Sequence, residues 1–250
     1  MTAPSVLLSG KATVDGAVLF GPLDVELAAG QWTCLLGPSG VGKSTVLRLI
    51  AGLPTGVRFE GAIAADDGVP LAGRVGYMAQ SDLLLPWLDV RGNVLLGARL
   101  RREAPDVARA EALVARVGLA ARAGRRPRTL SGGERQRAAL ARTLMEDRPV
   151  VLLDEPFSAL DAGTRAAMQE TAAELLAGRT VLLVTHDPGE AARLGHRILV
   201  MTATGVTVAD PPAAPATDAR KDGTPPIRAH DDPGTLACQA RLLTLLRRTA

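Results

Sequence analysis

The sequence predicts an α/β core preceded by an antiparallel β region and interrupted by an α-helical insertion. Three observations carry this. A glycine-rich loop, Gly37 to Thr45, lies between a short apolar run and a segment of helical spacing. Two continuous apolar runs, Val150 to Leu153 and Thr180 to Val184, have the composition of central parallel strands covered on both faces. Between the loop and these runs, the chain from Ser81 to Met145 loses its β texture and becomes rich in Ala and Arg.

The loop Gly37-Pro38-Ser39-Gly40-Val41-Gly42-Lys43-Ser44-Thr45 fits the phosphate-loop pattern of Gly, four residues, then Gly-Lys-Ser. Trp32 to Leu36 reads as the strand before it; Thr45 to Ala51 reads as the helix after it, stopped by Gly52. Glycines let main-chain N–H groups face inward toward a polyanion. Lys43 adds a charge near the outer phosphates, the Ser44 hydroxyl can ligate Mg²⁺, and the helix directs its positive end to the same place. An ordinary turn can share this composition, but the flanking strand and helix favour the phosphate cradle.

With 250 residues and 47% apolar composition, the chain can bury a core as one domain with a tail. The net charge of +3 comes from 29 basic and 26 acidic residues, too mild a balance to imply nucleic acid. Arginines cluster from Arg99 to Arg102 and from Arg122 to Arg128, but at 2% aromatic residues the chain lacks the stacking platforms of a single-strand binder, so the clusters read as solvated faces or as a partner- or lipid-facing surface. Cys34 and Cys238 make no disulfide framework, and Cys34 reads as a small core residue. Neither a signal peptide nor a long apolar window is visible, and the expectation is a cytoplasmic protein that does not cross a membrane by itself.

In chain order, the apolar runs of residues 5–36 are separated by turn signals at Gly10, Asp15-Gly16, Gly21-Pro22 and Ala29-Gly30, the texture of an antiparallel region. Residues 57–80 look similar and end in a strand from Arg74 to Gln80. Asp106 is placed to cap a helix with Val107, Ala110, Leu113, Val114 and Val117 on one face, closed by Gly118. A second helix runs from Glu134 to Met145, and a crossover helix from Thr164 to Ala177 precedes Gly178. Ile198 to Met201 is a further strand. Pro, Ala, Asp and Gly then dominate, and Leu236, Leu242, Leu243, Leu245 and Leu246 predict a terminal amphipathic helix, expected to pack on its own domain.

Chemistry concentrates at the strand ends. Asp154-Glu155 ends the run from Val150, where parallel α/β sheets hold their ligands; Asp154 is placed for Mg²⁺ and Glu155 to orient or deprotonate water. Ser131-Gly132-Gly133-Glu134 opens a helix and offers a second anion-facing surface, or a plain capped helix start. The Gln80 amide, at a hinge between strand and insertion, can reach Mg²⁺ or the attacking water. His186 follows the strand from Thr180.

In this order the residues closely resemble the ATP-binding subunit of ABC transporters over about residues 5–205. Gly37 to Thr45 matches Walker A, Gln80 the Q-loop, Leu130 to Glu134 the signature, Val150 to Asp154 Walker B, Glu155 the catalytic Glu, Ser158 to Asp161 the D-loop and His186 the switch His. The resemblance implies a phosphate-loop NTPase fold binding ATP and Mg²⁺. It also implies a head-to-tail homodimer in which Ser131, Gly132 and Gly133 of one copy close over ATP on the Walker A loop of the other. With the composition of the remaining chain, the domain plan is an ATP-binding domain over 1–205 with a helical subdomain over about 81–147, a linker over 206–235 and a C-terminal helix over 236–250.

The stretch from Gln80 to Val90 looks like the import ATPases for nitrate, sulfonates, taurine and thiamine precursors. This implies membrane permease subunits, a solute-binding protein in the complex and a place at the cytoplasmic face of the inner membrane; the apolar patch from Leu83 to Trp87 is suited to receive a permease helix, or reads as a core segment of the insertion. One departure is clear: residues 8–18 lack the aromatic on which the family usually stacks adenine, Phe20 looks like a core position, and Val14 or Val18 is left to cover the ring. An exporter or lipoprotein-release ATPase shares the chemistry. A soluble ABC ATPase of translation or repair is disfavoured by the single cassette, and a phosphate-loop kinase by the signature.

Overall fold

The computed structural model describes residues 3–213 and 227–249. β1 (Val6–Val14) and β2 (Ala17–Leu27) form a hairpin across Asp15-Gly16, both in the left-handed region that such tight turns demand. β3 (Trp32–Leu36) leads into the glycine loop and α1 (Lys43–Ile50). β4 (Arg58–Ala65) returns to β1, completing an antiparallel sheet of order β2-β1-β4.

The second sheet begins with β5 (Val75–Met78). The helical insertion follows, with α2 (Val90–Val94), α3 (Leu96–Leu100), α4 (Val107–Arg116) and α5 (Gly132–Met145). β6 (Val150–Asp154), α6 (Ala162–Leu175), β7 (Thr180–Val184), α7 (Pro188–Leu194), β8 (Arg197–Thr202) and β9 (Gly205–Ala209) complete the core, and α8 (Pro233–Thr249) ends it. The order is β5-β6-β7-β3-β8-β9, parallel throughout except that β9 runs antiparallel to β8.

The central strands are apolar without a break because each feeds two cores. On β3, Trp32, Cys34 and Leu36 join α5 and α8 on one face, while Leu35 joins α1 and the antiparallel sheet on the other. β6 and β7 alternate in the same way, Leu153 and Leu183 against Leu152 and Leu182. Each such leucine contributes about 1.5–3 kcal/mol by leaving water, so the two-sided burial fixes the sheet that carries the loop. Cys34 is among these residues, and burial pushes its thiol pKa well up, as expected of an inert core cysteine.

Several expectations change. Val107 opens α4 but is exposed, because the packed stripe is Ala110, Leu113, Val114 and Val117. α5 takes Gly132 and Gly133 into its first turn rather than starting at Glu134. β9 occupies 205–209, of which the sequence assigns 206–209 to a linker; its pairing with β8 supplies the order that its short, mixed pattern conceals. The part of that linker from 214 to 226 lies outside the described residues. α8 starts at Pro233; it buries Cys238 and Leu242 against the core and leaves Leu236 and Leu243 exposed.

Candidate active site

The loop between β3 and α1 is shaped by sequence in a direct way. Gly42 caps α1 at φ 104, and a Cβ there would stand 2.8 Å from Cδ1 of the fully buried Phe20. Val46, Leu47 and Ile50 anchor α1 on the sheet, so its N-terminal end is held toward the cavity. Lys43 Nζ donates to the carbonyls of Gly37 and Pro38, each at 2.8 Å, and draws the loop around itself. Burial pushes the Lys43 pKa down, opposed by the charges of Glu155 and Asp154.

A cavity of about 260 Å³ opens here, lined by Leu19, Ser39, Gly40, Gly42, Lys43, Ser44, Thr45, Gln80 and Glu155. Pro38 contributes its carbonyl. Val41 turns its side chain into the core beside α1, which leaves its main chain for the loop. Asp154, buried at the end of β6, is hydrogen-bonded by Ser44. Burial raises its pKa, with the nearby Glu155 charge adding to the effect, while the Ser44 bond and Lys43 pull it down. Ser44, Gln80 and Asp154 line one groove, and their hydroxyl, amide and carboxylate oxygens are the hard donor types that could hold Mg²⁺.

Glu155 is the point of convergence. Gln80 Nε2 donates to its Oε2 at 3.2 Å, and His186 Nδ1 lies 3.1 Å from the same oxygen. Three segments distant in sequence thus meet at one carboxylate. Ser131, Gly132 and Gly133 are not brought to this cavity. They stand at the open end of α5, where Ser131 Oγ accepts from Glu134 N and Ser131 N donates to Glu134 Oε2 at 2.8 Å. That reciprocal cap and Arg122 hold the Glu134 carboxyl below the usual carboxylate range.

The structure adds residues the sequence reading missed. Leu19, rather than Val14 or Val18, lines the cavity, and Phe20 is fully buried as expected. Gln136 is buried on α5 and bonded to the Glu155 turn. Its signal is a polar residue in line with the buried Ala139, Leu140 and Thr143 three, four and seven positions on.

A family model described as ABC transporter matches residues 20–158. A Haemophilus influenzae protein named "Uncharacterized ABC transporter ATP-binding protein" is 47% identical over 189 residues, 75% of this chain and 77% of that one. The aliphatic sulfonates import ATP-binding protein SsuB 1 of Rhodococcus jostii is 49% identical over 189 residues, 74% of each chain. Among solved structures, a dimeric ATP-binding cassette in a post-hydrolysis state, bound to ADP and Pi, superposes with a TM-score of 0.72 at 28% identity, covering 82% of this chain and 98% of that one. With its glycine loop, its strand-end acids and these likenesses in agreement, the chain belongs to the ABC transporter family.

Proposed function

We propose that this chain hydrolyses ATP to drive import of a small solute through membrane permease subunits, working as a head-to-tail pair. The observation that carries the reading is the Glu155 carboxylate, held by Gln80 and His186 at the mouth of the Lys43 cavity. In this reading the main chain from Gly37 to Thr45 cradles the phosphates, and Lys43 leaves its loop carbonyls to meet the outer ones. Ser44, Asp154 and Gln80 would hold Mg²⁺, which neutralises charge on the phosphate oxygens. Glu155 orients the attacking water and accepts its proton, while His186 and Gln80 position that water against the terminal phosphate.

Ser131 and Gly132 are exposed at the start of α5, with Gly133 packed beside Ala159 and Leu160, and that exposed end suits the three residues to close over nucleotide on a second copy. The dimeric cassette bound to ADP and Pi supports such pairing. Among the described residues no helix is long and apolar enough to cross a membrane; in this reading the permease is a separate subunit. Its docking site is the groove of about 480 Å³ lined by Leu53, Tyr77, Gln80 and Leu83, with exposed Trp87 beyond. Relatives named for aliphatic sulfonate import favour a small sulfonate as the solute, delivered by a solute-binding protein, with this chain at the cytoplasmic face of the inner membrane.

The test pairs two measurements. Glu155→Gln should lose hydrolysis and still form dimers with ATP and Mg²⁺. In that background, cysteines replacing Ser39 and Ser131 should crosslink between copies only when ATP is present. Retained turnover removes Glu155 from its role, and absence of ATP-dependent crosslinking removes the head-to-tail pair.

A further inference from the structure

α5 begins at the Ser131-Gly132-Gly133 end and runs directly under the Glu155 turn. Gln136, on its second turn, is 6% exposed. Its Nε2 donates to the Glu155 carbonyl at 2.8 Å and to Ser158 Oγ at 3.1 Å, and its Oε1 accepts from Ala159 N at 2.9 Å. Both ends of one buried amide are thereby used on one five-residue turn. No other side chain of α5 is bonded in this way to the segment after β6 among the described residues.

The turn needs such a hold. Glu155 sits at φ 49, a left-handed conformation that is strained for a non-glycine residue. A strained residue persists where its surroundings over-determine it. Here Glu155 N donates to Val184 O at 2.9 Å, and the Glu155 carbonyl accepts from Gln136 and from Ser158 Oγ at 3.0 Å. That backbone angle sets where the carboxylate points, and it brings Glu155 Oε2 within reach of both Gln80 Nε2 and His186 Nδ1. The same helix also holds the segment after Gln80: Arg135 Nε pairs with Asp82 at 3.0 Å, and Arg142 donates to the carbonyls of Asp82 and Leu83, each at 2.7 Å.

We infer that Gln136 is a positioning residue for hydrolysis, fixing the Glu155 turn to α5 so that the helix presenting Ser131 to Gly133 and the carboxylate move as one body. This rests on the reading of Glu155 as the water-orienting carboxylate. It gives α5 a purpose beyond its first turn. Closure of a partner's nucleotide against the serine-glycine end is transmitted, through one side chain, to the chain's own site.

The experiment uses the full chain with MgATP. Gln136→Glu keeps the acceptor for Ala159 N and loses the donor to the Glu155 carbonyl; it should lower kcat about 10- to 100-fold with KM for ATP within about twofold. Ser158→Ala, at an exposed position, removes another bond to that carbonyl without threatening the fold and should lower kcat about 3- to 10-fold. In the Glu155→Gln background, single-turnover hydrolysis should show less than about a twofold further loss from Gln136→Glu, because the two act as a unit. Overturning results are wild-type kcat in either variant, a loss confined to KM, or an undiminished loss in the Glu155→Gln background. Should Gln136→Glu not fold, the Ser158→Ala kcat decides alone. Failure of the Glu155 reading shows separately, as retained turnover in Glu155→Gln by itself.

Discussion

His186 Nδ1 lies 3.1 Å from Glu155 Oε2, joining the end of β7 to the end of β6 across the mouth of the cavity. The imidazole is 64% exposed and the carboxylate only 17%, so the pair has one fixed member and one free to swing. If they act on the same water, their losses do not add. His186→Ala is expected to lower ATP turnover by roughly 10²–10⁴-fold, the range for removing one acid-base or positioning partner. Combined with Glu155→Gln, it should cost far less than the product of the two single losses. Steady-state rates for the four proteins check this, and strict additivity would place the two residues in separate steps.

Gly42 and Gly40 both carry positive φ, 104 and 80, yet their surroundings differ. At Gly42 a Cβ would meet Phe20, which is packed between the sheets and cannot withdraw; at Gly40 it would meet nothing within 4 Å. Gly40→Ala therefore incurs the backbone term alone, about 1–2 kcal/mol. Gly42→Ala adds an overlap of about 1–3 kcal/mol. At roughly 2–4 °C per kcal/mol for a chain of this size, the Gly42 variant should melt well below the Gly40 variant. Equal melting temperatures would mean that Phe20 yields.

The contrast shows what a linear sequence can convey. The strand before the loop, the helix after it and the acids ending β6 are local patterns, and apolar runs flanking short polar signals mark them. Gln136 is different: its partners, two main-chain atoms and the Ser158 hydroxyl, lie 19–23 positions away, so nothing in its neighbours identifies them. Leu19 lines the cavity because the β1–β2 hairpin carries it there, which only the sheet register decides. β9 exists because β8 offers it an edge. Val107 has the spacing of a buried residue but lies in the first turn of α4, beyond the reach of the insertion's packing.

Glu190 on α7 supplies a pH-dependent prediction. Its Oε2 accepts from Thr185 Oγ1 at 2.6 Å, and burial raises its pKa above the ordinary 4.5. The Thr185 bond opposes that shift, the Asp187 charge adds to it, and Arg165 on α6 and His186 pull it down. A carboxyl with a raised folded-state pKa contributes most below its unfolded value and loses that contribution as pH rises through the folded one. Glu190→Gln keeps an acceptor for Thr185 without the charge. Near pH 4 the variant and the wild type should melt alike, whereas near pH 8 the variant should melt higher, by roughly 2–4 °C for each kcal/mol of burial cost removed. Melting curves across that range decide, and a variant less stable at high pH would show that the 3.9 Å Arg165 pair outweighs burial.

Trp87 tests the proposed permease contact. It is 65% exposed, and Leu83, four residues earlier, is 62% exposed at φ 45. The left-handed backbone at Leu83 turns an apolar side chain outward, and Arg142 secures it through its bond to the Leu83 carbonyl. Leu84 N donates to Asp82 Oδ1 at 3.1 Å, so local bonds hold the turn, and the apolar helix proposed for the adjoining groove would cover the leucine it exposes. Aromatic anchors at such contacts are worth about 2–4 kcal/mol on truncation. Trp87→Ala is therefore expected to weaken assembly with the permease by roughly 30- to 1,000-fold, while the isolated chain keeps its ATPase rate because Trp87 lies outside the Lys43 cavity. Titration of the purified permease against both proteins, read by co-elution, measures the first effect. Unchanged assembly would move the contact away from this surface.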